Sequence, residues 1–220
     1  MRPTNNLPDL KNRIAFSILE KLILENQKES PLVIGITGAG GAGKTTFARN
    51  IVKFYNLNNC LTIDLDDYLI SRSDRGKLGL TGYNPLANKL ELARENIELL
   101  KQGKIIKKPV YDHTTGEALK SEKVNPKKLI IIEGVTTLYE ELRDLNNISF
   151  FLDALETTQI QSRIKRDVEE RGYTLEQALT LFDALRPDYK KFIEPTKEYA
   201  SMIFSVGIDY VMHPLRNQHE

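Results

Sequence analysis

Leu32-Val-Ile-Gly-Ile-Thr37-Gly38-Ala-Gly-Gly-Ala-Gly43-Lys44-Thr45-Thr46 is the stretch that decides the architecture. Leu32 to Thr37 is an apolar run of the kind that forms a strand buried on both faces. Gly38 to Thr45 matches G-x-x-x-x-G-K-[ST]. Phe47, Ala48, Ile51, Val52 and Tyr55 then mark the inward face of a helix. Small residues between a strand and a helix let successive N–H groups point at one phosphate, and the positive end of the helix favours the same anion. Lys44 is expected to reach the β- and γ-phosphates and the Thr45 hydroxyl to bind Mg²⁺. Gly38, Ala39, Gly40, Gly41, Ala42, Gly43, Lys44, Thr45 and Thr46 are therefore the candidate nucleotide-binding residues, with ATP and Mg²⁺ as expected cofactors. A merely flexible turn would not need both flanks to be right.

Outward from this loop, strands and helices alternate. Leu10 to Asn26 reads as an amphipathic helix through Ile14, Ala15, Ile18, Leu19, Leu22 and Ile23. Cys60 to Leu65 is a second strand, parallel to the first because a helix separates them. Asp66 to Tyr83 is polar and glycine-bearing and reads as a loop. Asn84-Pro85 is expected to open a helix with the stripe Leu86, Leu90, Ala93, Ile97 and Leu100. Ile105–Tyr111 and Glu117–Val124 suit a hairpin; Leu129–Ile132, Ile148–Leu152 and Met202–Val206 suit further strands. Thr157 to Arg171 is a charged helix with Ile160, Ile164 and Val168 on one side. Thr174-Leu-Glu-Gln177 is a capping box that opens another, with Leu175, Ala178, Leu179 and Phe182 inward. The expectation is a single α/β domain with a mostly parallel five-stranded sheet and a helical lid. Residues 1–30 would hold the N-terminal helix, 31–207 the core with its lid at about 157–190, and 208–220 a tail.

Composition narrows the class. The chain has 220 residues, with 31 Lys+Arg against 30 Asp+Glu, which disfavours a polycationic or polyacidic partner-binding arm. A single cysteine, Cys60, leaves no disulfide framework or Cys-rich metal cluster, fits a reducing compartment and reads as inert core. MRPTNNLPDL lacks the apolar core of a signal peptide, and no apolar run approaches the roughly 20 residues that span a bilayer. A cytoplasmic protein without membrane or nucleic-acid partners is expected. Lys101 to Lys108 has no interleaved aromatics and reads as a solvated face. His213 and His219 carry no signal.

In a parallel sheet, ligands collect at the carboxyl ends of strands. Two acidic groups fall there: Asp64-Leu-Asp66-Asp67-Tyr68 after the second strand, and Glu133 after LIII. Phosphoryl transfer needs one carboxylate near Mg²⁺ and one to accept the proton of the attacking hydroxyl. Asp66 is the candidate base, and Glu133, with Thr45 and Asp66, the candidate metal side. A GTPase would want D-x-x-G and N-K-x-D; Glu133-Gly134 is not the former and the latter is absent. Arg163 and Arg166 are expected on one helix face, away from Ile160, Ile164 and Val168, where with Lys165 and Arg171 they suit a lid over the phosphates. The competing reading is a surface helix with pairs Arg163–Asp167 and Arg166–Glu170.

Together these residues resemble the phosphoribulokinase/uridine kinase family of P-loop kinases. The resemblance runs in order from Pro31 to about Gly207: the glycine loop, Asp66-Asp67-Tyr68, Pro109-Val-Tyr-Asp-His113, IIEG at 131–134, RDVEERG at 166–172 and RPDYKKFIEPTKEYA at 186–200. It implies a three-layer α/β/α P-loop NTPase fold with helices on both faces of the sheet and a mobile lid, Mg·ATP as donor, a small-molecule acceptor with a sugar hydroxyl, Asp66 as proton acceptor, and Lys44, Arg166 and Arg171 as catalytic cations. It leaves a homo-oligomer open. Tyr68, Arg72, Tyr83, Tyr111, His113 and Arg163 are the candidate substrate contacts, and Arg75 joins Arg72 as a candidate for holding an acceptor phosphate. Tyr111-Asp-His113-Thr-Thr115-Gly116 and Arg186-Pro-Asp-Tyr189 are similar to phosphoribulokinase stretches. Uridine kinases usually carry a His where Gly116 stands, an Arg at Tyr173 and a Gln near Leu181. Phosphoribulokinases in turn carry a His where Leu69 stands and an extra C-terminal region. The leading expectation is a phosphoribulokinase-like kinase; the alternatives are a uridine/cytidine kinase and an ATP-binding regulatory protein.

Overall fold

The computed structural model describes residues 10–26, 28, 30–55, 59–169 and 172–217. The strands are β1 Leu32–Gly38, β2 Cys60–Asp64, β3 Ile106–Asp112, β4 Glu117–Val124, β5 Leu129–Glu133, β6 Ile148–Ala154, β7 Met202–Val206 and β8 Met212–Asn217. The helices are α1 Arg13–Glu25, α2 Lys44–Tyr55, α3 Arg72–Leu78, α4 Leu90–Lys101, α5 Glu156–Glu169 and α6 Leu175–Asp188. The main sheet has the order β2-β5-β1-β6-β7-β8. Its first five strands are parallel, as expected; β8 is added antiparallel to β7. The expected hairpin forms from β3 and β4.

Alternation along the central strands feeds two cores. Ile34, Ile36, Leu129 and Ile131 point to one face, where α1 and α2 deliver Phe16, Leu19, Phe47 and Ile51. Phe47 is fully buried and meets the rings of Phe16, Phe150 and Phe204 edge-on, at 5.8, 5.6 and 6.2 Å between centroids. Val33, Ile130 and Ile132 point to the other face, against Ile97, Leu100, Leu138 and Tyr68. The α1 helix forms as read, but Phe16 faces the core and Ile14 is exposed. On α2, Phe54 takes the place expected of Tyr55, whose side chain lies outside the described residues.

Three expectations are corrected, and one feature of α6 is added. The stretch after β2 is not a plain loop: Leu65–Tyr68 forms a 3-10 turn and α3 follows, capped by Ser71. Asn84-Pro85 caps only a short 3-10 turn, so α4 begins at Leu90 and Leu86 is exposed. The tail region contributes β8, held to α1 because Asn12 donates to the Tyr210 carbonyl and accepts from Met212 N. Pro187, lacking an N–H, lies inside α6 near its end, and the chain continues as a π turn at Tyr189–Ile193.

Candidate functional site

Parallel register builds the site. Glu133 pairs with Ile36 on one side and Asp64 on the other, so β1, β5 and β2 end at the same edge. The glycine loop springs from β1 at that edge. Gly41 has φ +85°, and a Cβ there would stand 2.7 Å from the Gln159 carbonyl, so the loop passes α5 where only glycine fits. Lys44 Nζ donates to the Gly38 and Ala39 carbonyls at 3.1 and 3.0 Å. Burial pulls the Lys44 pKa down, against the opposing charges of Glu133, Asp66 and Asp64.

Facing Lys44 is a knot of carboxylates. Burial pushes the pKa of Glu133 up; Lys44 and a hydrogen bond from Thr45 work against it. Burial also holds Asp64 well above the usual carboxylate range, and the neighbouring Asp66 and Glu133 charges add to this. Asp64 Oδ1 accepts from Asp66 N at 2.9 Å, which fixes the turn that carries the candidate base. Three acidic groups beside one lysine are a surplus of negative charge that a cation would relieve. Among the described residues no three His, Cys, Asp or Glu side chains close around a metal unaided. Mg²⁺ typically takes one or two carboxylates and completes its shell with water and phosphate, so Thr45, Glu133 and Asp64 fit an ion arriving with a nucleotide.

Asp66 looks across to the hairpin. His113 Nε2 lies 3.8 Å from Asp66 Oδ2, so two residues far apart in sequence meet. Arg72 donates to the His113 carbonyl, while Arg75 donates to the Ile70 carbonyl and, at 2.9 Å, to Tyr111 Oη. Asp67 pins the hairpin to the turn, because it pairs with the buried Lys108 of β3 and accepts from Tyr111 N at 2.8 Å. Tyr68, expected at the substrate, is turned into the core by the 3-10 turn, where its hydroxyl accepts from Asn96 at 3.0 Å.

The lid helix reverses its expected orientation. Thr158, Arg163 and Asp167 are its buried residues, while Val168 is exposed. Arg163 lies over the Phe182 ring at 5.6 Å, and its Nε is 4.0 Å from Asp167 Oδ2. Arg166 donates to Asp167 Oδ1 at 3.0 and 3.1 Å. Arg171 and Glu170 lie outside the described residues. One cavity of about 590 Å³ joins Lys44, Thr45, Asp64, Asp66, Tyr83, Tyr111, His113, Glu133, Arg163 and Arg166. Arg72, Arg75, Ser162, Tyr173 and Tyr210 also line it. Of these, Asp64 was legible as a strand-end acid without a role, whereas Tyr210, at φ +60° in the β7–β8 turn, gave no signal.

A profile of the Phosphoribulokinase / Uridine kinase family matches residues 33–212. The chain is 38% identical over 185 residues to a phosphoribulokinase of Synechocystis, covering 83% of this chain and 56% of that protein. It is 36% identical over 190 residues to a uridine kinase of Ligilactobacillus salivarius, covering 84% of this chain and 89% of that one. The chain thus spans about half the length of the phosphoribulokinases it matches. Among solved structures it is similar to a possible uridine kinase from Bacillus stearothermophilus, with TM-score 0.63, 24% identity, and 87% and 97% of the two chains covered. It is also similar to phosphoribulokinase from Rhodobacter spheroides, with TM-score 0.62, 18% identity, and 82% and 71% covered. No helix among the described residues is long and apolar enough to cross a membrane.

Proposed function

The chain belongs to the phosphoribulokinase/uridine kinase family, and on that premise we propose that it transfers the γ-phosphate of ATP to a hydroxyl of a sugar-containing metabolite. One observation carries this: a single cavity is lined by the glycine loop, Lys44, Glu133 and Asp64 together with Asp66, which stands beside His113. Asp66 is also one of the charges that act on Lys44, so an acceptor held by Asp66 would stand near phosphates held by the loop.

Loop amides and the start of α2 hold the phosphates, and Lys44 leaves its carbonyl partners to meet them. Thr45, Glu133 and Asp64 would hold Mg²⁺, which neutralises charge on the phosphate oxygens when bound. Asp66 orients the acceptor hydroxyl and takes its proton. The hydroxyl oxygen bonds to the γ-phosphorus, the bond to the β,γ-bridging oxygen breaks, and ADP leaves. Arg163 and Arg166, steered by Asp167, balance the charge of the transferring group, and Arg171 is proposed to join them. The reaction belongs in the cytoplasm, where ATP is supplied.

The acceptor end favours a phosphorylated sugar. Arg72 and Arg75 stand beside Tyr111 and His113, and each guanidinium has five donors, more than its present partners use. A second reading, a pyrimidine nucleoside kinase, is favoured by the fuller overlap with the Ligilactobacillus salivarius protein. Coupled ADP release over ribulose 5-phosphate, ribulose, uridine and cytidine separates them. Turnover of ribulose 5-phosphate alone supports the first reading, and uridine-dependent release the second. ATP binding with no turnover of any acceptor would leave a regulatory protein.

A further inference from the structure

Tyr83 stands before α4 with only 8% of its surface exposed, and its main chain is fixed without help from its hydroxyl. Its N–H donates to Thr81 Oγ1 at 3.1 Å, and its carbonyl accepts from the Tyr139 hydroxyl. The phenol oxygen reaches the glycine loop and accepts the Gly40 N–H at 2.7 Å. A Cβ at Gly40 would lie 2.9 Å from that oxygen and 3.4 Å from Arg163 Nη1, so both groups converge on one side of the loop. The charged neighbours of the phenol are Arg163, Asp66 and Arg166. It therefore sits between the loop, the lid arginines and the candidate base.

A phenol that accepts one N–H still has its own proton to give. Among the described residues no group accepts that proton, although the oxygen is buried on the cavity wall. Burial pushes the Tyr83 pKa up, so the proton stays on at neutral pH. The Gly40 amide is thus taken up by a longer arm that ends in an unused donor.

We infer that Tyr83 is a ligand of the transferred phosphoryl group, relaying the Gly40 N–H through its hydroxyl to an oxygen of the γ-phosphate. This rests on the ATP reading and reassigns Tyr83 from the acceptor to the donor. The γ-phosphate is the part it addresses because Asp66 and Arg163 flank the hydroxyl, and ADP lacks that group. Tyr83 holds its proton throughout and exchanges none with the substrate.

The test is calorimetric titration of the full chain and of Tyr83→Phe with Mg·ADP and with the β,γ-imido analogue of Mg·ATP. A hydrogen bond to a charged oxygen corresponds to roughly a tenfold to hundredfold change in affinity. Tyr83→Phe should lose about that much for the imido analogue and less than twofold for ADP. The phenylalanine keeps both main-chain contacts, and an unchanged thermal midpoint would verify its fold. Equal losses for both nucleotides, or none, would overturn the inference while leaving the kinase reading intact. Tighter analogue binding would also overturn it, by showing that the hydroxyl blocks the loop. No binding of either nucleotide to the unsubstituted chain would overturn the kinase reading and the inference together.

Discussion

Lys108→Met should cost about 3 kcal/mol of folding stability, most of it recovered by adding Asp67→Asn. Lys108 is buried on β3, with 6% of its side chain exposed, and pairs with Asp67 at 14% and Glu122 at 55%. Removing one partner of a buried pair typically costs about 3–5 kcal/mol, because a charge is left without compensation. The lower end applies because Asp67 keeps the Tyr111 amide, and the solvated Glu122 contributes less than about 1 kcal/mol. With Asp67→Asn alongside, no buried charge remains, so the double variant should lie within about 1 kcal/mol of the unsubstituted chain. Urea unfolding of the four proteins gives the coupling directly. Burial alone would lower the Lys108 pKa, but the two carboxylates outweigh it and the net direction is up. Its contribution is therefore complete below the ordinary value of 10.5 and lost as pH rises through the folded value, a loss that Lys108→Met should not show. Tyr111 and His113 ride on the hairpin that this pair pins. Lys108→Met should thus raise KM for the acceptor and spare nucleotide affinity. A single-variant loss under 1 kcal/mol, or two single losses that simply add, would refute the reasoning.

Three further outcomes are expected. Asp66→Asn should retain nucleotide affinity in calorimetry and lose phosphotransfer by a factor of at least about a hundred, the usual scale of a general base; a full rate would remove Asp66 from that role. Because Asp64 is raised, the folded chain keeps a proton that the unfolded chain releases. The resulting stability is full below the ordinary value of 3.8 and declines as pH rises through the raised value. Asp64→Asn should therefore lift the thermal midpoint near pH 8 more than near pH 5 in nucleotide-free protein, and a uniform change would count against the carboxylate knot. Phe47→Ala, which empties the junction of three other rings, should cost about 3–5 kcal/mol by urea unfolding.

The glycine loop, the parallel sheet and the strand-end acids were legible because each rests on a local pattern. What escaped did so for physical reasons. The α3 helix buries none of its residues, so it leaves no apolar stripe among the polar residues after Asp66. The β8 strand adds an edge with Pro214 within it, and a proline within a strand argues against a ladder unless that strand is an edge. The apolar side of the lid helix reads as the inward one, yet its buried side is Arg163 and Asp167, because the site rather than the core lies beneath it. Tyr68 belongs to the family motif, but its hydroxyl serves Asn96; sequence shows the residue type and not the direction of the ring. The proximity of His113 to Asp66 depends on how the hairpin docks, which no local pattern encodes.

The strand order has a bearing on how the chain assembles. Among the described residues, β1 has only β5 and β6 as neighbours, and β2 has only β5. During synthesis the first two strands of the main sheet therefore emerge with nothing to pair with until Leu129–Glu133 appears. β5 then joins them in one event and brings Glu133 to Asp64 in the same motion. Closing such long intervals is the slow part of folding. The glycine loop is thus carried by an unpaired strand until β5 is made, and Glu133, which faces it, arrives with that strand. Until then no partly made chain holds the candidate site complete.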